Sequence, residues 1–252
     1  MIEVNNITKS FDDNEVLGGV SANLEKGKVN FIIGRSGSGK SVMTKCIVGL
    51  HEVDSGEIIF DGRDFTHMNR KNRKEIRKEI GMLFQGSALF DSLTVEENVM
   101  FPLSMFTRMS KEEMRDRANL CLQRVELEGN NHLYPAEISG GMMKRVGIAR
   151  AIAMNPKYLF ADEPNSGLDP QTAIVIDNLI KELTYEFNMT TVVISHDMNS
   201  VMEAGDNIHF VHEGKIWWSG DRTEILRSGN QQLDEFVYAS KFMKQVRDNL
   251  ER

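Results

Sequence analysis

Two cysteines, Cys46 and Cys121, are all that the 252 residues contain. That is too few for a disulfide framework and suits a reducing compartment. No stretch approaches the roughly 18 unbroken apolar residues of a spanning helix. The opening Met1-Ile2-Glu3-Val4-Asn5 also lacks the basic segment and apolar run of a secretory leader. The expectation is a cytoplasmic chain that does not cross a membrane but is able to dock beneath one. No segment recurs at a period of about 20 to 50 residues, and no Pro/Gly/Ser-rich linker divides the sequence.

Positive charge is scarce as well. With 30 Lys+Arg against 37 Asp+Glu the formal charge is −7, a field that repels polyanions, so no nucleic-acid partner is expected. The one basic run, Arg70-Lys71-Asn72-Arg73-Lys74-Glu75-Ile76-Arg77-Lys78, would suit anionic lipid headgroups or nucleic acid. Glu75 and Glu79 interrupt it and the surrounding chain is acidic, so it reads as a solvated helix face.

What remains is an ordinary globular mixture, 40% hydrophobic and 27% charged, long enough to bury a substantial core. Short apolar runs at Val29 to Ile33, Tyr158 to Ala161 and Thr190 to Ile194 are each followed by a turn signal and a helical pattern. Alternating strand and helix implies an α/β fold with a parallel sheet. Between about Thr94 and Asn155 the pattern is helical, a predicted insertion in a domain spanning residues 1–224. Residues 225–252 read as a helical tail, with Ala239, Phe242, Met243, Val246 and Leu250 on one side. Packing of that face on its own domain is expected in preference to a partner.

The sharpest local signal is Gly34-Arg35-Ser36-Gly37-Ser38-Gly39-Lys40-Ser41, between the apolar run Val29 to Ile33 and the helical pattern Val42 to Leu50. It fits the phosphate-loop pattern in its required strand, loop, helix context. Glycines let successive backbone N–H groups turn toward phosphate oxygens, and the helix start adds a favourable dipole. Lys40 is expected to neutralise β- and γ-phosphates and Ser41 to offer its hydroxyl to Mg²⁺. Tyr158-Leu159-Phe160-Ala161-Asp162-Glu163 delivers two carboxylates at the end of a buried run. Asp162 is then the expected Mg²⁺ partner and Glu163 the candidate base for attacking water. A third element, Ile138-Ser139-Gly140-Gly141-Met142, opens another helix with two residues that permit close backbone approach to an anion.

Together with Gln85 in Met82-Leu83-Phe84-Gln85, Ser166-Gly167-Leu168-Asp169 and His196 in Ile194-Ser195-His196-Asp197, these motifs resemble the ATP-binding-cassette family, in family order, over residues 2 to 224. The resemblance implies a P-loop NTPase (RecA-like) fold with a parallel sheet core, an antiparallel β subdomain and a helical subdomain. It implies ATP and Mg²⁺ as ligands, with residues 34 to 42, from Gly34 to Val42, around the phosphates. Ser139, Gly140 and Gly141 would approach the ATP of a second copy or of another cassette subunit, so that two cassettes close head to tail on ATP. By the same resemblance Gln85 contacts Mg²⁺ and water and relays nucleotide state to transmembrane permease subunits. His196 holds the γ-phosphate and Glu163 in line, Asp169 lies at the subunit contact, and Phe11 stacks on adenine.

Two departures stand out. Met142 replaces the usual Gln of the Ser-Gly-Gly signature and cannot donate a side-chain hydrogen bond, and Asn165 stands where Thr is usual. Ser-Gly-Gly-Met, with Phe84-Gln85-Gly86-Ser87-Ala88-Leu89-Phe90-Asp91-Ser92-Leu93-Thr94-Val95 and Asn98-Val99-Met100-Phe101-Pro102-Leu103, resembles the Mla-type subunits, a group similar to the toluene-tolerance transporters. That resemblance implies phospholipid movement between the two membranes of a diderm bacterium, on the cytoplasmic side of the inner membrane, with a periplasmic lipid-binding subunit. An amino-acid importer would carry nearly the same catalytic motifs, and a non-transport cassette would be expected to show tandem cassettes or long coiled-coil insertions.

Overall fold

A computed structural model describes residues 1–239. Its elements begin with β1 (Ile2–Phe11), β2 (Asn14–Leu24), β3 (Val29–Ile33), α1 (Lys40–Ile47), β4 (Ser55–Phe60) and β5 (Arg63–Asp64). Then come α2 (Arg70–Lys78), β6 (Ile80–Leu83), α3 (Val95–Phe106), α4 (Lys111–Arg124), α5 (Gly140–Ile152), β7 (Tyr158–Asp162) and α6 (Pro170–Glu186). The described chain closes with β8 (Thr190–Ser195), α7 (Met198–Ala204), β9 (Asn207–His212), β10 (Lys215–Gly220) and α8 (Gln231–Val237). Of the expected tail 225–252, Gln231–Val237 forms α8, while Phe242, Met243, Val246 and Leu250 lie outside the described residues.

The chain forms two compact units. One holds Met1–Glu25, Val29–Met68 and, of the described residues, those from Ile194 to Ala239. Here β2, β1, β4 and β5 make an antiparallel sheet in that order, while β3 pairs parallel with β9 and β9 antiparallel with β10. All five residues of β3 are buried, and Ile33 faces Phe210 of β9 in register. A central parallel strand covered on both faces calls for a largely apolar run, and its one polar residue, the buried Asn30, accepts from the Glu25 amide at 2.8 Å.

The other unit holds Lys26–Lys28 and Asn69–Val193. Its strands run β8, β7, β6, with β6 and β7 parallel and Leu83 opposite Ala161. From Val95 to Ile152 it is helical among the described elements. Thr94 and Ser110 begin α3 and α4 with capping boxes, each accepting from the N3 amide while Glu97 or Glu113 reaches back. These reciprocal bonds satisfy donors that a bare helix start leaves unpaired. Among the described residues no helix is long and apolar enough to cross a membrane.

Candidate functional site

In the first unit, β3 delivers the chain into the phosphate loop. Gly34 has φ +149°, and a Cβ there would lie 2.2 Å from the Val211 carbonyl oxygen, so only glycine lets the strand leave the sheet at this point. Gly39, at φ +105°, turns the loop into α1. Lys40 is buried, and its Nζ donates to the carbonyls of Gly34 at 2.7 Å and Arg35 at 2.8 Å. The lysine therefore closes the loop around its own ammonium. Arg35, Ser36, Gly37 and Ser41 are exposed and Val42 is half-buried.

Among the described residues the buried Ser38 hydroxyl has no hydrogen-bond partner. A buried polar atom left alone is costly and asks for a ligand. The loop's exposed rim, fixed cation and open hydroxyl fit a phosphate chain.

Phe11 ends β1 and is 38% exposed, with its ring edge-on to His51 at 5.2 Å and the Lys9 ammonium 5.5 Å from its centre. A ring left so open retains surface for a planar partner. His196 follows β8 and is exposed, and next to it Asp197 caps α7 by accepting from the Asn199 amide at 2.9 Å.

In the second unit, the pairing of Leu83 with Ala161 brings Gln85 and the Asp162–Glu163 pair out at one sheet edge. Gln85 is exposed, and its Nε2 lies 3.4 Å from the Ser166 hydroxyl as a donor. Glu163 has φ +47°. A carboxylic residue in the left-handed region carries on the order of 1–3 kcal/mol of strain, a cost met where function needs the geometry.

Ser139 caps α5 by accepting from the Met142 amide at 3.2 Å. Gly140 is exposed and Gly141 half-buried, and a Cβ on Gly141 would stand 2.8 Å from Thr172 Cγ2. Asp169 caps α6, accepting from the amides of Gln171 and Thr172 at 3.0 Å and from the Thr172 hydroxyl at 2.5 Å. The Thr172 hydroxyl leads in holding the Asp169 carboxyl below its usual range. Gly141 and Asp169 thus both lie against Thr172.

Two cations that sequence reasoning passed over secure the segment after β6. Lys144 Nζ donates to the Gln85 carbonyl, and Arg150 donates to the carbonyls of Ser87 at 2.5 Å and Ala88 at 2.7 Å. Both belong to α5. Burial pushes the Lys144 ammonium below its usual range, opposed by the negative charges of Glu163 and Asp162. The only trace of this in the sequence is that two of the three long cations of α5, Lys144 and Arg150, stand among apolar residues on either side of Val146 to Ala149.

The same unit holds an apolar groove of about 470 Å³, lined among others by Phe84, Phe90, Phe101, Pro102 and Phe106 and edged by Arg77, Lys78 and Arg150. The rings of Phe90 and Phe101 meet at a tilt of 47° with centroids 4.5 Å apart, and both remain more than a third exposed. Such an apolar patch on a surface marks a place where another protein or a ligand sits.

Among the described residues no group of three or more His, Cys, Asp or Glu is placed to hold a metal. Mg²⁺ keeps waters and substrate phosphate oxygens and takes only one or two protein ligands. The Ser41 hydroxyl and the Asp162 carboxylate are of the hard-oxygen type it needs.

The family model described as ABC transporter matches residues 17–166, more than half of the chain. A methionine import ATP-binding protein, MetN of Desulfitobacterium hafniense, is 37% identical over all of this chain and 75% of its own length. The intermembrane phospholipid transport ATP-binding protein MlaF of Haemophilus influenzae is 36% identical, covering 94% of this chain and 90% of its own. The dimeric post-hydrolysis structure of the ATP-binding cassette MJ0796 with ADP and Pi superposes with a TM-score of 0.80 at 36% identity, over 88% of this chain and 99% of that one. The fold is that of an ABC ATPase, with an antiparallel sheet and a parallel sheet. A phosphate loop closed on its lysine, an acidic pair at a sheet edge and a glycine-opened signature helix have their common explanation here: the chain belongs to the ABC transporter family, as an ATP-binding, ATP-hydrolysing subunit.

Proposed function

We propose that this chain powers a transporter that moves phospholipid between the inner and outer membranes of a diderm bacterium, from the cytoplasmic face of the inner membrane. The observation that carries this reading is the apolar groove of Phe84, Phe90, Phe101, Pro102 and Phe106. Phe84, Phe90, Phe101 and Pro102 fall in the two stretches that resemble Mla-type subunits, and the groove's size and polarity suit an apolar cytoplasmic segment of a permease subunit. The relationship to MlaF over 94% of the chain supports the same cargo. A periplasmic lipid-binding subunit is proposed as a further member of the complex, and nucleic acid is not a partner.

Two copies are proposed to close on ATP and to reopen after hydrolysis, the exposed Ser139, Gly140 and half-buried Gly141 of each facing the nucleotide of the other. Within each, residues 34 to 42 hold the phosphates, Lys40 neutralises their charge and Phe11 supports the adenine. Ser41, Asp162 and Gln85 are the proposed Mg²⁺ residues, and the ion supplies Lewis-acid stabilisation of phosphate charge. Glu163 takes the proton of the attacking water, and His196 keeps the γ-phosphate and that water in line. Asp169, already fixed by its helix cap, communicates between copies. Positioning and electrostatics then supply most of the rate, as in phosphoryl transfer generally.

A second reading, an amino-acid importer, is favoured by the similarity to MetN over the whole chain. Reconstitution with the co-purifying membrane subunits separates the two. ATPase activity that rises with added phospholipid and ignores amino acids is the expected result. Stimulation by an amino acid with its binding protein, and none by lipid, would overturn the phospholipid reading.

A further inference from the structure

Lys144 is 5% exposed and lies beside the buried Val146, Gly147 and Ile148 of α5. Taking an ammonium out of water is expensive, and a methionine of similar length would pack there without that cost. The ammonium donates to a neutral acceptor, the Gln85 carbonyl, and the charges acting on it are those of Glu163 and Asp162. Nothing in the packing of α5 calls for a cation. The surroundings that do are the glutamine segment and the acidic pair.

We propose that Lys144 is a positioning residue for ATP hydrolysis: its ammonium fixes the chain at Gln85 and sets a positive charge toward Asp162 and Glu163, from a helix whose first turn is the Ser139-Gly140-Gly141 signature. Arg150, six residues or about 9 Å further along α5, holds the Ser87 and Ala88 carbonyls in the same manner. Close approach of the helix is allowed by Gly147, where a Cβ would come within 2.7 Å of Leu83 Cδ1. Residues 85 to 88 therefore ride on α5. A displacement of the signature turn reaches Gln85 and the acidic pair through one rigid element, without a separate chain of contacts.

The test compares Lys144→Met, Lys144→Gln and Lys144→Arg in the full-length chain. It measures single-turnover hydrolysis of MgATP, equilibrium MgATP binding and the thermal midpoint. Lys144→Met is expected to slow hydrolysis about 10- to 100-fold, the range seen when a group that orients a reacting residue is lost, while MgATP affinity stays within about two-fold. Its thermal midpoint is expected to stay level or rise, because a buried charge has been removed. Lys144→Gln, which keeps a donor without charge, should fall between Met and wild type, and Lys144→Arg should retain most of the rate. Wild-type hydrolysis by Lys144→Met would overturn the proposal. So would equal losses of rate and thermal midpoint in all three variants, or a loss of MgATP affinity as large as the loss of rate.

Discussion

Gly141→Ala tests how tightly the signature turn is set. The added methyl would stand 2.8 Å from Thr172 Cγ2, closer than carbon atoms tolerate. Thr172 cannot easily swing aside, because its hydroxyl is held 2.5 Å from the Asp169 carboxylate and its amide also bonds to Asp169. Either the threonine gives up part of the α6 cap or the start of α5 moves. Overpacking of this kind costs roughly 1–3 kcal/mol, and replacing glycine by alanine in a helix returns up to about 1 kcal/mol. The net expectation is a loss of about 1 kcal/mol, a fall in thermal midpoint of roughly 2–4 °C for a chain of this size. Thr172→Ser removes Cγ2 and keeps the hydroxyl, so the double variant should recover the lost stability. Calorimetry on the single and double variants reads this directly. An unchanged midpoint in Gly141→Ala, or no recovery on adding Thr172→Ser, would refute the argument that Thr172 sets the space at the signature.

Other outcomes follow from the same geometry. Glu163→Gln should bind MgATP normally while turnover drops by about 10²–10⁴-fold, the contribution typical of a positioned base, as read in a phosphate-release assay; undiminished hydrolysis would remove Glu163 from that role. His209 is buried and pairs with the Ser219 hydroxyl at 2.9 Å, and burial pushes its pKa down to about 4 from 6.5. The unfolded chain therefore binds more protons between those values, so stability present above pH 6.5 should fall by up to about 3 kcal/mol as pH drops toward 4. Urea unfolding of wild type and His209→Asn across that range checks it, the variant being expected to lack this part of the slope. Phe90→Ser with Phe101→Ser should leave MgATP binding intact and abolish co-purification with the membrane subunits.

How much of this was legible in the linear sequence depends on whether the information is local. The phosphate loop is eight consecutive residues, and its glycines are needed where the backbone itself turns, at Gly34 and Gly39. The acidic pair likewise ends one short apolar run. The β6 strand was harder to see, being four residues long with Gly81 in it. A Cβ at Gly81 would lie 2.3 Å from the Ala151 carbonyl, so that glycine reflects a neighbour more than 60 residues away. In β1 the alternation of inward and outward residues is blurred by register shifts between Val4 and Ile7 and between Lys9 and Ser10. Lys144 left only a faint trace. A lysine in a helix ordinarily reads as a solvated side chain, and only the approach of α5 to β6 turns it into a buried one.

That approach also explains why the backbone after β6 can be strained. Ser87 and Ala88 have φ +60° and +46°, conformations that cost non-glycine residues roughly 1–2 kcal/mol each. Hydrogen bonds to charged donors are worth about 1.5–3 kcal/mol, and here the Arg150 guanidinium meets both of these residues' carbonyls. The left-handed pair is thus sustained from α5 rather than by its own sequence. Neither residue is one that prefers such a conformation, so the turn should relax when the guanidinium is withdrawn. Arg150→Met is accordingly expected to increase amide hydrogen exchange at residues 86 to 89 while the start of α5, capped independently by Ser139, keeps its protection. Equal loosening at both places would mean that α5 has lost its packing as a whole, and the two ends would not be separable in the way proposed.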